Sequence, residues 1–401
     1  MERLLEVAKR LTVLKTSQKV PEYKRFLYSQ VKNSPSKLVG IYGGRGVGKT
    51  TLMVQILKEL NLPPSKALFI SCDHPAFSGF SLFEFLEEYA SLGGKYVFID
   101  EIHRVKDFQS HLKSVYDFLD LKVYFSGSSA VYLNNPDFAR RFSMFKLPVL
   151  SFREFIELST GIDFSPLTLT DIIDNHEDIA FGIVRTFSDR KILELFEEYK
   201  LHGAYPFYFE DPEKFLEKLA ASVDLAISSD IALLYSVNPE KVQTIKKLLV
   251  TICVSKPMEL SVENVASLVG VSKATLYKYI EYLSRADLII HVQHEAKRFR
   301  AVRKPDKLFL ANTNLLNALC LEREKGTERE TFFASVTSYR HKLNYVDRGD
   351  FFVDEKFIFE VGGKNKKLEQ VKGLSNAYLA VDGVEIGSGK RIPLWLFGFI
   401  Y

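Results

Sequence analysis

Residues 43–50, GGRGVGKT, stand between the apolar run LVGIY (38–42) and the helix-patterned TLMVQILKEL (51–60), and this junction decides the fold. The octet fits G-x-x-x-x-G-K-[ST], with Gly43 and Gly48 as anchors, Lys49 as the cation and Thr50 as the hydroxyl. A glycine loop that leaves a strand and opens a helix turns successive backbone N–H groups, and the helix N-terminus, toward one point where a phosphate can approach closely. Gly43, Gly44, Arg45, Gly46, Val47, Gly48, Lys49, Thr50 and Thr51 are therefore the candidate phosphate-binding residues. Lys49 is expected at the β- and γ-phosphates of a nucleotide and Thr50 on Mg²⁺.

Outward from the loop, short apolar runs alternate with helical stretches: KLVGIYG, ALFISC, YVFIDE and LKVYFSGSS. That alternation reads as βαβ units around a parallel sheet with helices on both faces. Asp100 and Glu101 close YVFIDE, at the C-terminal strand end where ligands bind in open α/β sheets. Asp100 is expected in the Mg²⁺ shell and Glu101 on the attacking water, although an acidic pair at a strand end also suits a helix N-cap. Ser126, Ser128 and Ser129 end the next strand and are candidates for contact with the γ-phosphate or the water. Arg140 and Arg141 are candidates for transition-state charge, in cis or from a neighbouring subunit, against the alternative of solvated surface arginines. Arg45 and His103 read as surface and helix-start residues.

The chain of 401 residues exceeds one ordinary domain, and 46% hydrophobic with 26% charged residues is a globular balance. A formal net charge of +4 is too mild to imply nucleic acid by itself. No apolar run is long enough to span a bilayer and the N-terminus, MERLLEVAKRL, lacks a signal-peptide pattern, so a soluble cytoplasmic protein without membrane contact is expected. Cys72, Cys253 and Cys320 are widely spaced, and reduced, buried thiols are expected of all three. The terminal IPLWLFGFIY reads as a buried strand or helix.

GGRGVGKTT, FIDEIHRVKDFQSHLKSVYD, FSGSSAVYL, ARRFSMFKLPVLSFREF and, later, EEYKLHGAYPF together resemble the AAA+/STAND division of P-loop ATPases, and within it the prokaryotic AAA-type ATPases that carry a C-terminal domain of unknown function. The resemblance implies ATP and Mg²⁺ as ligands. It puts Lys49, Thr50, Asp100 and Glu101 on the nucleotide motifs, a serine of the third strand end on the sensor position, and Arg140 or Arg141 on the family's arginine. It further implies an α/β P-loop domain over 1–157, a helical lid over 158–237, a winged helix over 238–312 and a small restriction-endonuclease-like α+β domain over 313–401.

Between Leu260 and Leu288 the pattern is that of a helix-turn-helix, with Ser261 and Ser272 as N-caps and Gly270 as the C′ glycine. Leu276, Ile280 and Leu283 should pack inward, leaving Lys273, Thr275, Tyr277 and Lys278 to face a DNA groove. KRFRAVRKPDK brings Lys297, Arg298, Arg300, Arg303, Lys304 and Lys307 to the place of a wing, so duplex DNA is a candidate partner. The competing reading is a packing module or protein contact with a solvated basic face.

RGDFFVDEKFIFEVGGKNK reads as a hairpin that brings Asp350 near Glu360. It resembles the metal site of restriction-endonuclease-like nucleases, with Glu330 of RETFF as the upstream acid. It departs from them in having Gly362 two positions after Glu360, where the lysine belongs; Lys364, Lys366 and Lys367 are the nearest. A structural remnant is expected ahead of a nuclease, with Lys364 as the candidate fourth member. Three functions follow: an ATP-driven switch acting on DNA or a protein partner, an ATP-regulated nuclease, and a nucleotide-dependent protein-binding module with little turnover. A homo-oligomer is compatible with each.

Overall fold

A computed structural model describes residues 2–128, 140–188, 190–254, 262–295, 306–322, 324–367, 369 and 373–401. The chain divides into two compact units, Met1–Pro148 and Val149–Tyr401.

The first unit is a five-stranded parallel sheet in the order β2-β3-β4-β1-β5. Its strands are β1 (Leu38–Gly43), β2 (Ala67–Ser71), β3 (Tyr96–Asp100), β4 (Lys122–Ser128) and β5 (Phe142–Lys146). The helices of this unit are α1 (Glu2–Ser17), α2 (Tyr28–Lys32), α3 (Lys49–Leu60), α4 (Leu82–Ser91) and α5 (Phe108–Phe118). The inner strands are apolar on both faces, and Leu38, Val39, Val97, Phe98, Ile99, Val123 and Phe125 are all buried. β2 lies at an edge, where the Phe69 N–H donates to Thr12 Oγ1 of α1 at 2.8 Å. A helix thereby satisfies a backbone donor that an edge strand would otherwise expose. Because β4 lies between β1 and β3, the end of the fourth apolar run in sequence sits between the glycine loop and the acidic pair.

The second unit holds α6 (Phe152–Thr160), α7 (Leu169–Thr186), α8 (Ile192–Glu198), α9 (Phe215–Leu225), α10 (Ala232–Tyr235), α11 (Pro239–Val254), α12 (Val262–Val269), α13 (Lys273–Arg285), α14 (Thr313–Leu319) and α15 (Lys325–Thr337). Its strands are β6 (Ile289–His294), β7 (Lys307–Leu310), β8 (Leu343–Tyr345), β9 (Phe351–Val353), β10 (Phe357–Gly362), β11 (Ala377–Val381) and β12 (Arg391–Pro393). They form one mixed sheet in the order β12-β11-β10-β9-β8-β6-β7. α6 starts on a capping box in which Ser151 and Glu154 each satisfy the other's backbone N–H, and it stops at Gly161. The terminal apolar run is a buried 3₁₀ helix, Leu394–Phe399.

The division after Pro148 falls short of the boundary expected at 157, and the three modules expected over 158–401 share one unit. The joining contact is β6 with β8, a parallel pairing of Gln293 with Asn344 and His294 with Tyr345. It fuses the hairpin of the expected winged helix to the expected tail. The cysteine expectation fails for two of the three residues. Cys253 and Cys320 are disulfide-bonded across 67 residues of sequence, and only Cys72 is a free, buried thiol.

Candidate functional site

β1 ends at Gly43, where a side chain has no room: a Cβ there would lie 2.2 Å from the Leu147 carbonyl oxygen. The loop then passes through left-handed backbone at Gly46 (φ 80°) and Gly48 (φ 95°), and Gly48 caps α3. Glycine adopts these angles at little cost, so the loop residue types follow from its shape. Lys49 is buried in the first turn of α3, and its Nζ donates to the carbonyls of Gly43 (2.9 Å) and Gly44 (2.8 Å). Arg45 is half-buried in the loop.

The acidic pair comes to the same sheet edge. Thr50 Oγ1 donates to Asp100 Oδ2 at 2.8 Å, joining the first turn of α3 to the end of β3. The other Asp100 oxygen accepts from the hydroxyl of Ser126, which is fully buried on β4, and Ser126 Oγ accepts the Glu101 N–H at 3.4 Å. Ser126 is thus a bridge between both acids. Ser128 is buried at the end of the same strand, and Ser129 lies outside the described residues. Glu101 adopts left-handed backbone, φ 53° and ψ 44°, a costly conformation for a residue with a Cβ. Beside it Cys72 is inert as a nucleophile, because burial, with Asp100 nearby, pushes its thiol well above the ordinary range.

His103 stands in the 3₁₀ turn Ile102–Arg104, a helix start, but not at the surface: its side chain is fully buried, and Nδ1 lies 3.3 Å from Glu101 Oε2. The sequence signal was its spacing, two residues past the acid on a tight 3₁₀ turn.

Arg140 and Arg141 are a correction. They precede β5, whose Phe142 pairs with Leu38 at the start of β1 and whose Lys146 pairs with Tyr42 near its end. Both arginines therefore stand at the edge of the sheet opposite the loop, about 16 Å away along the strand at roughly 3.3 Å per residue. An arginine side chain does not bridge that distance, which removes the cis role. With Lys37 and Tyr116 they line an open hollow of about 420 Å³, and Arg141 Nε pairs with Asp117 at 3.3 Å.

In the second unit α12 and α13 meet at Gly270 (φ 82°), and Ser272 caps α13 by accepting the Thr275 N–H at 3.2 Å. Leu276, Ile280 and Leu283 are buried as expected, and Lys273, Tyr277 and Lys278 are exposed. Thr275 is half-buried, its hydroxyl 2.9 Å from that of Ser272, so it serves the cap rather than an outer face. Ser261, Lys297, Arg298, Arg300, Arg303 and Lys304 lie outside the described residues. Lys307 does not face outward for DNA. It is buried on β7, with Nζ 3.7 Å from Glu330, 3.6 Å from the Asp350 carboxylate and 3.1 Å from the Asp350 carbonyl.

Glu330 and Asp350 do converge, with Glu360 beside them. Burial, then the charges of Asp350 and Glu360, push the Glu330 carboxyl up to about 7, while Lys307 opposes the shift. The lysine at Glu360 is Lys366, at 2.6 Å, rather than Lys364, whose carbonyl accepts from Arg391. Burial and Asp350 also raise Glu360, and Glu360 raises Lys366. Two ammonium groups, that of buried Lys307 and that of half-buried Lys366, thus face three acids. Among the described residues no group of three or more His, Cys, Asp or Glu side chains is arranged to hold a metal ion, and no helix is long and apolar enough to cross a membrane.

Residues 35–156 match the family model described as AAA domain, and residues 193–327 match one described as a domain of unknown function. An uncharacterized protein of Methanocaldococcus jannaschii is 27% identical over 409 residues, covering 92% of this chain and 86% of the relative. Among solved structures, AMPPCP-bound DnaA from Aquifex aeolicus aligns with 67% of this chain and 90% of its own at 15% identity and a TM-score of 0.27. PCH-2 of C. elegans aligns with 69% of this chain and 68% of its own at 10% identity and a TM-score of 0.25.

Proposed function

We propose that the chain, whose residues 35–156 match the AAA domain family, binds ATP with Mg²⁺ and hydrolyses it to drive a conformational switch coupled to DNA or a protein partner. The observation that carries this reading is the 2.8 Å hydrogen bond from Thr50 to Asp100, which unites two motifs 50 residues apart at the ligand-binding edge of a parallel sheet.

In this reading the loop N–H groups and the N-terminus of α3 receive the phosphates, and Lys49 exchanges the carbonyls of Gly43 and Gly44 for phosphate oxygens. Thr50 and Asp100 supply the hard oxygen ligands that suit Mg²⁺, a cation that takes the rest of its shell from phosphate and water and needs no cluster of three acids. When bound, that ion neutralises charge on the β- and γ-phosphates. Glu101, turned off the strand end by its left-handed backbone and braced by His103, orients the attacking water and takes its proton. Ser126 keeps the two acids in register. Arg140 or Arg141 adds transition-state charge only at a nucleotide held by a second copy, which makes a homo-oligomer the form in which either takes part. Lys273 and Lys278, exposed on α13, are the described residues that would face DNA.

A steady-state ATPase assay with and without duplex DNA tests the proposal. Turnover that requires Mg²⁺ and vanishes in Lys49→Ala and Glu101→Gln supports it; binding function left intact in Glu101→Gln would favour a protein-binding module with little turnover. One observation favours a second reading as an ATP-regulated nuclease: Lys366 pairs with Glu360 beside Asp350. DNA cleavage with Mn²⁺ and ATP, lost in Asp350→Ala, would establish it.

A further inference from the structure

The segment that leads into the first strand does more than precede it. Arg25, between α1 and α2, is 5% exposed and reaches the rear of the glycine loop. One guanidinium nitrogen donates to the Val47 carbonyl at 2.6 Å and another to the Pro148 carbonyl at 2.9 Å. The segment that carries it is fastened on both sides to α3. Gln55 Nε2 donates to the carbonyls of Pro21 (2.7 Å) and Tyr23 (2.8 Å), and Glu59 meets Lys24 at 3.0 Å and also pairs with Tyr28 and Lys32. Arg25 therefore reaches these carbonyls from a fixed base.

A trans peptide points its C=O and the following N–H in opposite directions. Holding the Val47 oxygen behind the loop aims the Gly48 N–H out of its front. Val47 and Gly48 are the last residues before Lys49, where the loop N–H groups and the start of α3 converge. The second hydrogen bond ties the same guanidinium to Pro148, one residue beyond Leu147, the residue whose carbonyl closes on Gly43 from behind. A planar, forked donor suits two carbonyls held apart in this way, and an ammonium group does not replace it bond for bond.

We propose that Arg25 is a positioning residue of the phosphate site: it fixes the peptide between Val47 and Gly48 with its N–H toward the nucleotide phosphates, and so sets the affinity for nucleotide without touching it. The inference rests on the ATP-binding reading above. Gly48 N–H would contact phosphate in the ground state and the transition state alike, so its loss falls on binding rather than on turnover.

The test is Arg25→Lys in the full chain, which keeps stem and charge but not the fork, with Arg25→Ala beside it. Titration with N-methylanthraniloyl-ATP should show Kd raised about tenfold in Arg25→Ala, the scale of a lost charged hydrogen bond. Arg25→Lys should fall between native and alanine. The ATPase KM should follow Kd while kcat stays within about twofold, and millimolar guanidinium should restore part of the affinity of Arg25→Ala. A merely structural arginine would lower the active fraction and leave Kd unchanged. Native Kd in folded Arg25→Lys and Arg25→Ala would overturn the proposal, as would a loss confined to kcat. Should the alanine variant fail to fold, the lysine variant decides alone, native Kd counting against and a raised Kd at native melting temperature counting for. Lys49→Ala is the control: if it binds like native, the ATP-site reading itself fails, whereas loss there with native Kd in the Arg25 variants sinks only the role of Arg25.

Discussion

Glu330→Gln should stabilise the protein above neutral pH. Glu330 lies in the second unit with one side-chain oxygen 3.7 Å from Lys307, and Asp350 and Glu360 also face it, the latter paired with Lys366. Burial is the largest cause of its raised carboxyl, followed by Asp350, and the value of about 7 compares with 4.5 for the free side chain. A carboxyl raised on folding holds its proton more tightly in the native state than in the unfolded one. Stability is therefore highest below pH 4.5 as far as this group is concerned, falls as pH rises from 4.5 to about 7, and stays low above that. At about 1.4 kcal/mol per unit the loss is about 3 kcal/mol.

Glutamine keeps the shape and hydrogen-bonding capacity of the protonated acid and cannot ionise. Urea unfolding of native chain and Glu330→Gln, at intervals from about pH 4 to about pH 8.5, should give curves that nearly meet at the acid end, separate as pH rises from 4.5 to about 7, and stay apart by about 3 kcal/mol above that, the variant being the more stable. Lys307 retains Asp350 as a partner in the variant, so its charge does not become orphaned. A variant less stable than native at pH 8.5 would refute the reasoning, since it would mean that ionised Glu330 contributes more through Lys307 than its burial costs. Parallel curves would refute it as well, because another group would then own the pH dependence.

His103→Phe should lower kcat for ATP about tenfold with KM little changed, because it removes a brace from Glu101 and nothing from the phosphate cradle; an unchanged kcat would separate His103 from the reaction. Gly43→Ala should abolish nucleotide binding or folding, since its Cβ meets the Leu147 carbonyl oxygen at 2.2 Å; native binding by calorimetry would contradict that. Reduction of the Cys253–Cys320 bond releases a loop of 67 residues and should cost about 4 kcal/mol by loop-closure entropy, read as a lower urea midpoint with reductant present and absent from Cys253→Ser. Arg141→Ala should leave the affinity of the monomer for ATP unchanged and lower turnover only where the chain self-associates, as measured by activity against protein concentration.

The glycine loop and the acidic pair were legible because each is contiguous in sequence and its chemistry is set by local backbone: Gly46 and Gly48 supply left-handed turns, and Asp100 ends an apolar strand. Lys307 and Lys366 were not, because their acidic partners Glu330, Asp350 and Glu360 come from α15, from the residue before β9 and from β10, and which residues face inward depends on long-range register. Cys253 and Cys320 failed for the same reason: 67 residues of intervening chain give no hint that their Cα atoms lie 5.2 Å apart. The fusion of the hairpin β6–β7 with the tail strands turned on two pairs of residues, Gln293 with Asn344 and His294 with Tyr345.

Arg140 and Arg141 differ in kind, since a physical argument available from the sequence already bears on them. In a parallel sheet every strand runs the same way, so residues that precede a strand lie at the edge opposite those that follow one. Gly43 closes β1 and Asp100 closes β3, whereas both arginines precede β5. Their order along the chain therefore argues against cis contact with the phosphates. Arg25 shows the converse. It also precedes a strand, yet a turn and a short helix intervene, and these return the chain along α3 through Gln55 and Glu59 to the rear of the loop. The side of the sheet that a residue serves is fixed by direction within a strand, and outside one by whatever fastens the connecting segment. The fastening of 18–32 to α3 is thus the feature on which the shape of the phosphate site depends, and loosening it at Gln55 should raise Kd for ATP in the same direction as loosening it at Arg25.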